Sequence, residues 1–221
     1  MATITEPKLE WNVGDISRRF GPIPRGRTRQ DVQLGHATED DIVAIRDREK
    51  RLYELVDGIL VEKAMEWNES RLVADVLTSL NNFVKPRRLG IVIGDDGMYR
   101  LNPGLVRLPD VSYLSRDRIP GHRVPKFAVC PLIPNIAIEV LSRGNTKKEM
   151  AEKLLDYFGC GVELVWYVDP AKLTARVFTS PDDSQLLREK HALEGGTVLP
   201  GFVLPLRELF ADPLADEPNG R

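Results

Sequence analysis

Cysteine, histidine and long apolar runs are all scarce in this chain, and each shortage removes a class of protein. Two cysteines, Cys130 and Cys160, among 221 residues are too few for a disulfide framework. With the scattered His36, His122 and His191 they show no zinc-ligand spacing. No apolar run nears the ~20 residues that cross a bilayer, and the N-terminus lacks the basic-then-apolar pattern of a signal peptide. A cytoplasmic protein with no membrane partner is therefore expected. Positive charge is not in excess either: 31 Lys and Arg stand against 33 Asp and Glu, a net charge of −2. A polyanion would have to find a local basic patch rather than a global field.

What is present suits one compact domain with arms, because 221 residues at 42% hydrophobic fall within the single-domain range. Residues 1–37 mix Gly, Pro and Arg and read as an extended arm pinned by Trp11 and Phe20. Its arginines, Arg18, Arg19, Arg25, Arg27 and Arg29, can touch phosphates, but a solvated loop of mixed charge is the commoner role for so loose a run. Thr38-Glu39-Asp40-Asp41 has the form of a helix N-cap with acids in the first turn. The domain proper is expected over residues 38–211, with a polar tail at 212–221.

Two alternating apolar runs flank Asp57-Gly58, a hairpin signal. Leu72, Val73, Val76, Leu77, Leu80, Phe83 and Val84 recur at helical spacing over residues 69–84. A strand meander follows over residues 89–114, in which Asp95-Asp96-Gly97 is best explained by turn chemistry. Residues 115–134 form a long connection rich in Pro and Arg, residues 135–141 a buried strand, and Asn145-Thr146 caps a helix running to Phe158. Another apolar strand occupies residues 163–168. Helix, three strands, helix, strand is thus the predicted core, a mixed α/β fold whose last connection is the crossover that parallel strands need. Peripheral strands close the C-terminal side.

Glu139 lies in Ile136-Ala137-Ile138-Glu139-Val140-Leu141, bounded by apolar residues on both sides. A buried carboxylate there needs a cation or donors to offset its lost hydration. Strand alternation places it opposite the face of Ile136, Ile138 and Val140, and places Asp110 with Leu108 and Ser112. If the two strands pair, two carboxylates share one site, and a bridging divalent cation relieves their repulsion. Oxygen ligands without histidine favour Mg²⁺, with Mn²⁺ as substitute. Lys153, on the margin of the 147–158 apolar stripe, can reach Glu139 along its stem; pairing with Glu149 at i,i+4 is its more ordinary role, and Lys147 competes for the site. Glu54 is either a solvent-facing strand acid or a site group. Glu69 in a first helical turn is most simply a dipole-complementing acid.

In combination, Tyr53-Glu54-Leu55-Val56-Asp57-Gly58, Arg107-Leu108-Pro109-Asp110-Val111, Ile138-Glu139-Val140-Leu141-Ser142, Lys153 with Tyr157, Gly161-Val162-Glu163-Leu164-Val165-Trp166 and Val168-Asp169-Pro170 resemble the Uma-type restriction endonuclease family, a branch of the PD-(D/E)XK nucleases. The resemblance implies a restriction-endonuclease-like core with a mixed central sheet and added N- and C-terminal strands. It implies metal ligation by Asp110 and Glu139, with Glu69 a further ligand, and catalysis by these with Lys153 and Glu54. The implied activity is Mg²⁺-dependent hydrolysis of DNA phosphodiesters. Two departures stand out: the superfamily lysine is normally two residues after the second acid, where this chain has Leu141, and the family's usual Ser-Pro-Ser is here Ser142-Arg143-Gly144. The alternative is a catalytically silent nuclease-fold protein that binds nucleic acid or another protein. A homodimer is expected, since two related sites most simply cut two strands.

Overall fold

The computed structural model describes residues 11–63 and 66–215; the remainder of the N-terminal arm, residues 1–10, and the end of the expected polar tail lie outside them. The elements in chain order are α1 (Val13–Phe20), α2 (Glu39–Glu49), β1 (Tyr53–Val56), β2 (Ile59–Glu62), α3 (Trp67–Arg87), β3 (Gly90–Ile93), β4 (Tyr99–Asn102), β5 (Leu105–Arg107), β6 (Val111–Ser115) and β7 (Ile136–Val140). After these come α4 (Lys147–Gly159), β8 (Leu164–Asp169), β9 (Thr174–Phe178), β10 (Ser184–Arg188), β11 (Ala192–Glu194), β12 (Val203–Pro205) and the single turn α5 (Leu206–Leu209).

Six strands form the central sheet in the order β10-β9-β8-β7-β6-β3. Only β7 and β8 run parallel, joined through α4; the other neighbours are antiparallel. The sheet is therefore mixed, and α3, β3, β6, β7, α4 and β8 supply the expected helix, three strands, helix and strand. Alternation along β7 divides the core. Ile136, Ile138 and Val140 pack with Leu72, Val76 and Leu80 of α3, whereas Ala137 packs with Met150, Leu154 and Tyr157 of α4.

The meander expected over residues 89–114 is split between two sheets. β4 and β5 join β1 and β2 in a second, four-stranded sheet of order β2-β1-β5-β4, and the chain crosses into the central sheet at Leu108-Pro109-Asp110. Proline has no N–H to give a ladder, so Pro109 ends one strand and Asp110 emerges at the seam, outside regular strand. The arm also differs from expectation. Residues 13–20 are helical rather than extended, because Asn12 and Asp15 form a capping box that satisfies two of the free N–H groups at the helix start.

The capping and hairpin signals took the expected form. Thr38 and Asp41 box the start of α2, and Thr146 and Glu149 that of α4. Asp57 and Gly58 turn the β1–β2 hairpin with φ of 52° and 73°, the paired positive values of the favoured two-residue turn. Gly58 O also accepts from Gly35 N and Ala37 N, and a Cβ at Gly58 would stand 2.2 Å from the Gly35 backbone. Gly58→Ala is accordingly expected to cost about 2 kcal/mol or more, combining αL strain with displacement of the arm, read as a lowered urea midpoint at unchanged slope.

Candidate active site

β6 pairs with β7 in the register Val111 with Ile138 and Ser112 with Ala137, so one further step sets Asp110 against Glu139. Both are buried. Asp110 Oδ2 accepts from Val140 N at 2.6 Å and Oδ1 pairs with Lys63 Nζ at 2.8 Å. Glu139 Oε1 accepts from Lys153 Nζ at 2.9 Å and from the Tyr157 hydroxyl. Lys153 Nζ also lies 3.0 Å from Glu54 Oε1. Glu54 in turn accepts from Leu108 N at 3.1 Å and pairs with Arg107 Nη1 at 2.8 Å, while Arg107 Nε donates to Asp156 at 3.0 Å. A chain of alternating charges runs from the β1 sheet through α4 to the β6–β7 seam.

Glu54, Lys63, Asp110, Glu139, Asn145, Lys153 and Arg27 line one small cavity of about 10 Å³, close to the room one water needs. Enclosure dominates the titration behaviour. Burial pushes Glu139 up to about 7, with Asp110 and Glu54 adding to the rise and Lys153 opposing it. Burial works against the Glu54 charge too, but Lys153 and Arg107 outweigh it and hold that carboxyl at about 2. Burial likewise opposes the Lys153 charge, yet Glu139 and Glu54 raise its pKa above the ordinary lysine value. The Tyr157 hydroxyl is raised by burial and by Glu139, so it donates rather than ionises. Lys153 is thus held as a cation, while burial and the neighbouring acids raise the Glu139 carboxyl.

A family model described as "Uma2: Putative restriction endonuclease" matches residues 39–207. The chain belongs to the Uma2 family. It is similar to a crystal structure described as a "putative nuclease belonging to DUF820" from Anabaena variabilis ATCC 29413, with 19% identity, 73% of this chain and 90% of that chain covered, and a TM-score of 0.65. At that identity the likeness shows a shared fold, the restriction-endonuclease-like one. No curated protein matches the chain.

In this Uma2 member the structure brings together Asp110, Glu139, Lys153 and Glu54. Glu69 lines a larger neighbouring pocket with Leu141 and Ser142 and is not among the residues that line the carboxylate cavity. Lys153, not Lys147, reaches the acids; Lys147 is exposed on the larger pocket. The ordinary i,i+4 role for Lys153 does not hold, because Glu149 is taken by Arg27 at 2.7 and 2.9 Å. Arg27 also donates to Gly144 O and Glu62 O, which ties the arm across the cavity. Arg18, Arg19 and Arg29 are likewise engaged by carboxylates, so among the described arm arginines the binding role is internal.

Lys63, Arg107 and Asp156 were not singled out by the sequence. Arg107 carried a signal, since Val106 and Leu108 bound it as apolar residues bound Glu139. Lys63 carried none: it follows a strand end far from Asp110 in sequence.

The Glu54 shift has a measurable sign. Its folded pKa, about 2, lies below the ordinary value of 4.5, so the unfolded chain binds more protons between these values and stability rises with pH across that window. In EDTA, the wild-type protein is expected to lose urea stability as pH falls from about 4.5 toward 2. Glu54→Gln is expected to be less stable near neutrality, with a deficit that narrows on acidification. A constant deficit at every pH would contradict the ion pairing.

Proposed function

We propose that this chain is a metal-dependent endonuclease that hydrolyses DNA phosphodiester bonds. The observation that carries the reading is the β6–β7 register, which sets Asp110 and Glu139 side by side with the Lys153 ammonium against one of them. The donor set fits a hard divalent cation. Three carboxylates and no histidine or cysteine line the cavity; Glu54 is held between Arg107 and Lys153, which leaves Asp110 and Glu139 as the donor pair, and burial with its acidic neighbours raises the Glu139 carboxyl. Among the described residues no three His, Cys, Asp or Glu side chains gather as a metal group. Two carboxylates suit Mg²⁺, which keeps several waters and takes substrate phosphate as a ligand.

Asp110 and Glu139 would hold Mg²⁺ or Mn²⁺, which supplies charge for the phosphate and acidifies a water. The chain's own residues do the rest. Lys153, held protonated, offers a hydrogen bond and a positive charge to the developing oxyanion and does not serve as the base. Tyr157 fixes the orientation of Glu139 through Oε1. Arg107 and Leu108 N hold Glu54, which keeps the Lys153 ammonium in place. Lys63 neutralises Asp110 and orients it together with Val140 N.

A homodimer would present two such sites to a duplex; light scattering giving a monomer mass at working concentration would remove that part. The direct test is nicking of supercoiled plasmid with Mg²⁺ or Mn²⁺, expected to stop in EDTA. DNA affinity that falls with salt, without cleavage in either metal, would replace the enzyme by a silent DNA-binding scaffold.

A further inference from the structure

We propose that the large pocket beside the carboxylate cavity is a nucleobase site, which takes one unstacked base with donors on its Watson–Crick edge, guanine best. The proposal rests on the nuclease reading for its biological substrate, but its physical grounds are separate. The pocket has a volume of about 940 Å³, within the range of small-molecule sites. Its floor is apolar, made by Leu141, Met150, Leu154, Tyr167 and Phe178. Trp67 stands at its edge with 84% of its surface exposed, an unusual position for a side chain of that size and one suited to stacking on a base.

Glu69 supplies the recognition element. The residue is 8% exposed, yet its Oε2 is enclosed and has no hydrogen-bond partner among the described residues. An enclosed carboxylate oxygen without a donor is costly, and a ligand N–H aimed at it would relieve that cost. Guanine presents N1–H and N2–H side by side to a carboxylate; adenine and cytosine offer an amino group, and thymine a single ring N–H.

Charge agrees with a nucleotide rather than an acidic peptide or an apolar helix. Arg143 and Lys147 line the same pocket and make no ion pair with a described residue, so they remain for phosphate. Asn145 borders both this pocket and the carboxylate cavity, so the two are adjacent, and a strand whose base lodges against Glu69 passes beside Asp110 and Glu139. A base within a duplex has its Watson–Crick edge paired and cannot offer it to Glu69. The substrate class is therefore single-stranded DNA or a duplex with an extruded base.

The test uses the full chain in EDTA, so that cleavage plays no part. Tryptophan fluorescence is titrated with dGMP, dAMP, dCMP and dTMP, and the Trp67 share is isolated by comparison with Trp67→Phe, leaving Trp11 and Trp166. Quenching is expected, with dGMP bound roughly tenfold more tightly than dTMP, a difference of the size that one good base contact provides. Glu69→Gln, checked for an unchanged melting temperature, is expected to bind dGMP and dTMP alike. Equal affinity for all four nucleotides in the wild-type protein, or no quenching by any of them, overturns the proposal. So does quenching by a basic or acidic peptide in their place. Plasmid nicking with metal reads the enzymatic proposal separately: nicking without a dGMP response removes only the base pocket, and a dGMP response without nicking supports the pocket while removing the catalysis.

Discussion

Asp110→Asn is expected to reduce metal-dependent nicking by roughly a thousandfold, because a metal supplies several kcal/mol of transition-state stabilisation and each 1.36 kcal/mol is tenfold in rate. The change is nearly isosteric. The amide oxygen can still accept from Val140 N, which Asp110 binds at 2.6 Å, so the β6–β7 seam is expected to stay closed and the circular dichroism spectrum unchanged. What is lost is the negative charge that faces Lys63 Nζ at 2.8 Å and that would hold the cation. A Mn²⁺ titration by calorimetry should lose its heat in parallel with activity. If Asp110→Asn nicks plasmid at the wild-type rate, the paired carboxylates are not the catalytic centre, whatever the fold.

Arg107→Met should be the most damaging single change to stability. Arg107 is 1% exposed and joins Glu54 to Asp156, with 2.8 Å to the one and 3.0 Å to the other. Burial works against its charge, and Glu54 and Asp156 outweigh that cost. Methionine matches the stem but leaves Glu54 and Asp156 without the guanidinium. Breaking one side of a buried pair costs about 3–5 kcal/mol. At roughly 2–4 °C per kcal/mol for a chain of this length, a melting temperature lower by about 10 °C is expected. Arg107→Lys should recover little, since an ammonium cannot reach both acids in the forked geometry. Adding Glu54→Gln to Arg107→Met should cost less than the sum of the two single changes, because the second removes the charge the first leaves stranded. A cost under about 1 kcal/mol for Arg107→Met would mean that water already reaches the pair, as it does for exposed ion pairs.

The two predictions separate what the site needs to work from what it needs to exist. Asp110 lies at the point where Pro109 ends one strand and the next begins, so its side chain is free of ladder constraints and faces the cavity. Arg107 lies three residues earlier, at the end of β5, and secures the acid that holds Lys153. Stability and the proposed catalysis thus draw on the same four-residue run, Arg107-Leu108-Pro109-Asp110, for different reasons.

The periodic signals in the sequence were sufficient for the core. The 3.6-residue recurrence from Leu72 to Val84, the apolar runs around Glu139 and Val165, and the capping residues Thr38 and Thr146 all report local physics: which side of an element is apolar and where a helix can start. Such signals are legible because the residues that produce them are neighbours in the chain. Glu139 was readable for the same reason, as a charge flanked by apolar residues that must find a partner.

Which partner each charge found was settled only in three dimensions. Lys153 had an ordinary option four residues away in Glu149, and it lost that option because Arg27, far away in the arm, took Glu149 first. Lys63 reaches Asp110 only because the second sheet folds against the end of the first. Glu69 shares a helical first turn with residues that announce nothing about direction, and it faces a different pocket from the one its type suggested. Local sequence, then, determined the elements and which residues had to be buried. Tertiary structure decided which buried charges met, because a Coulomb pair depends on distance in space and carries no period along the chain.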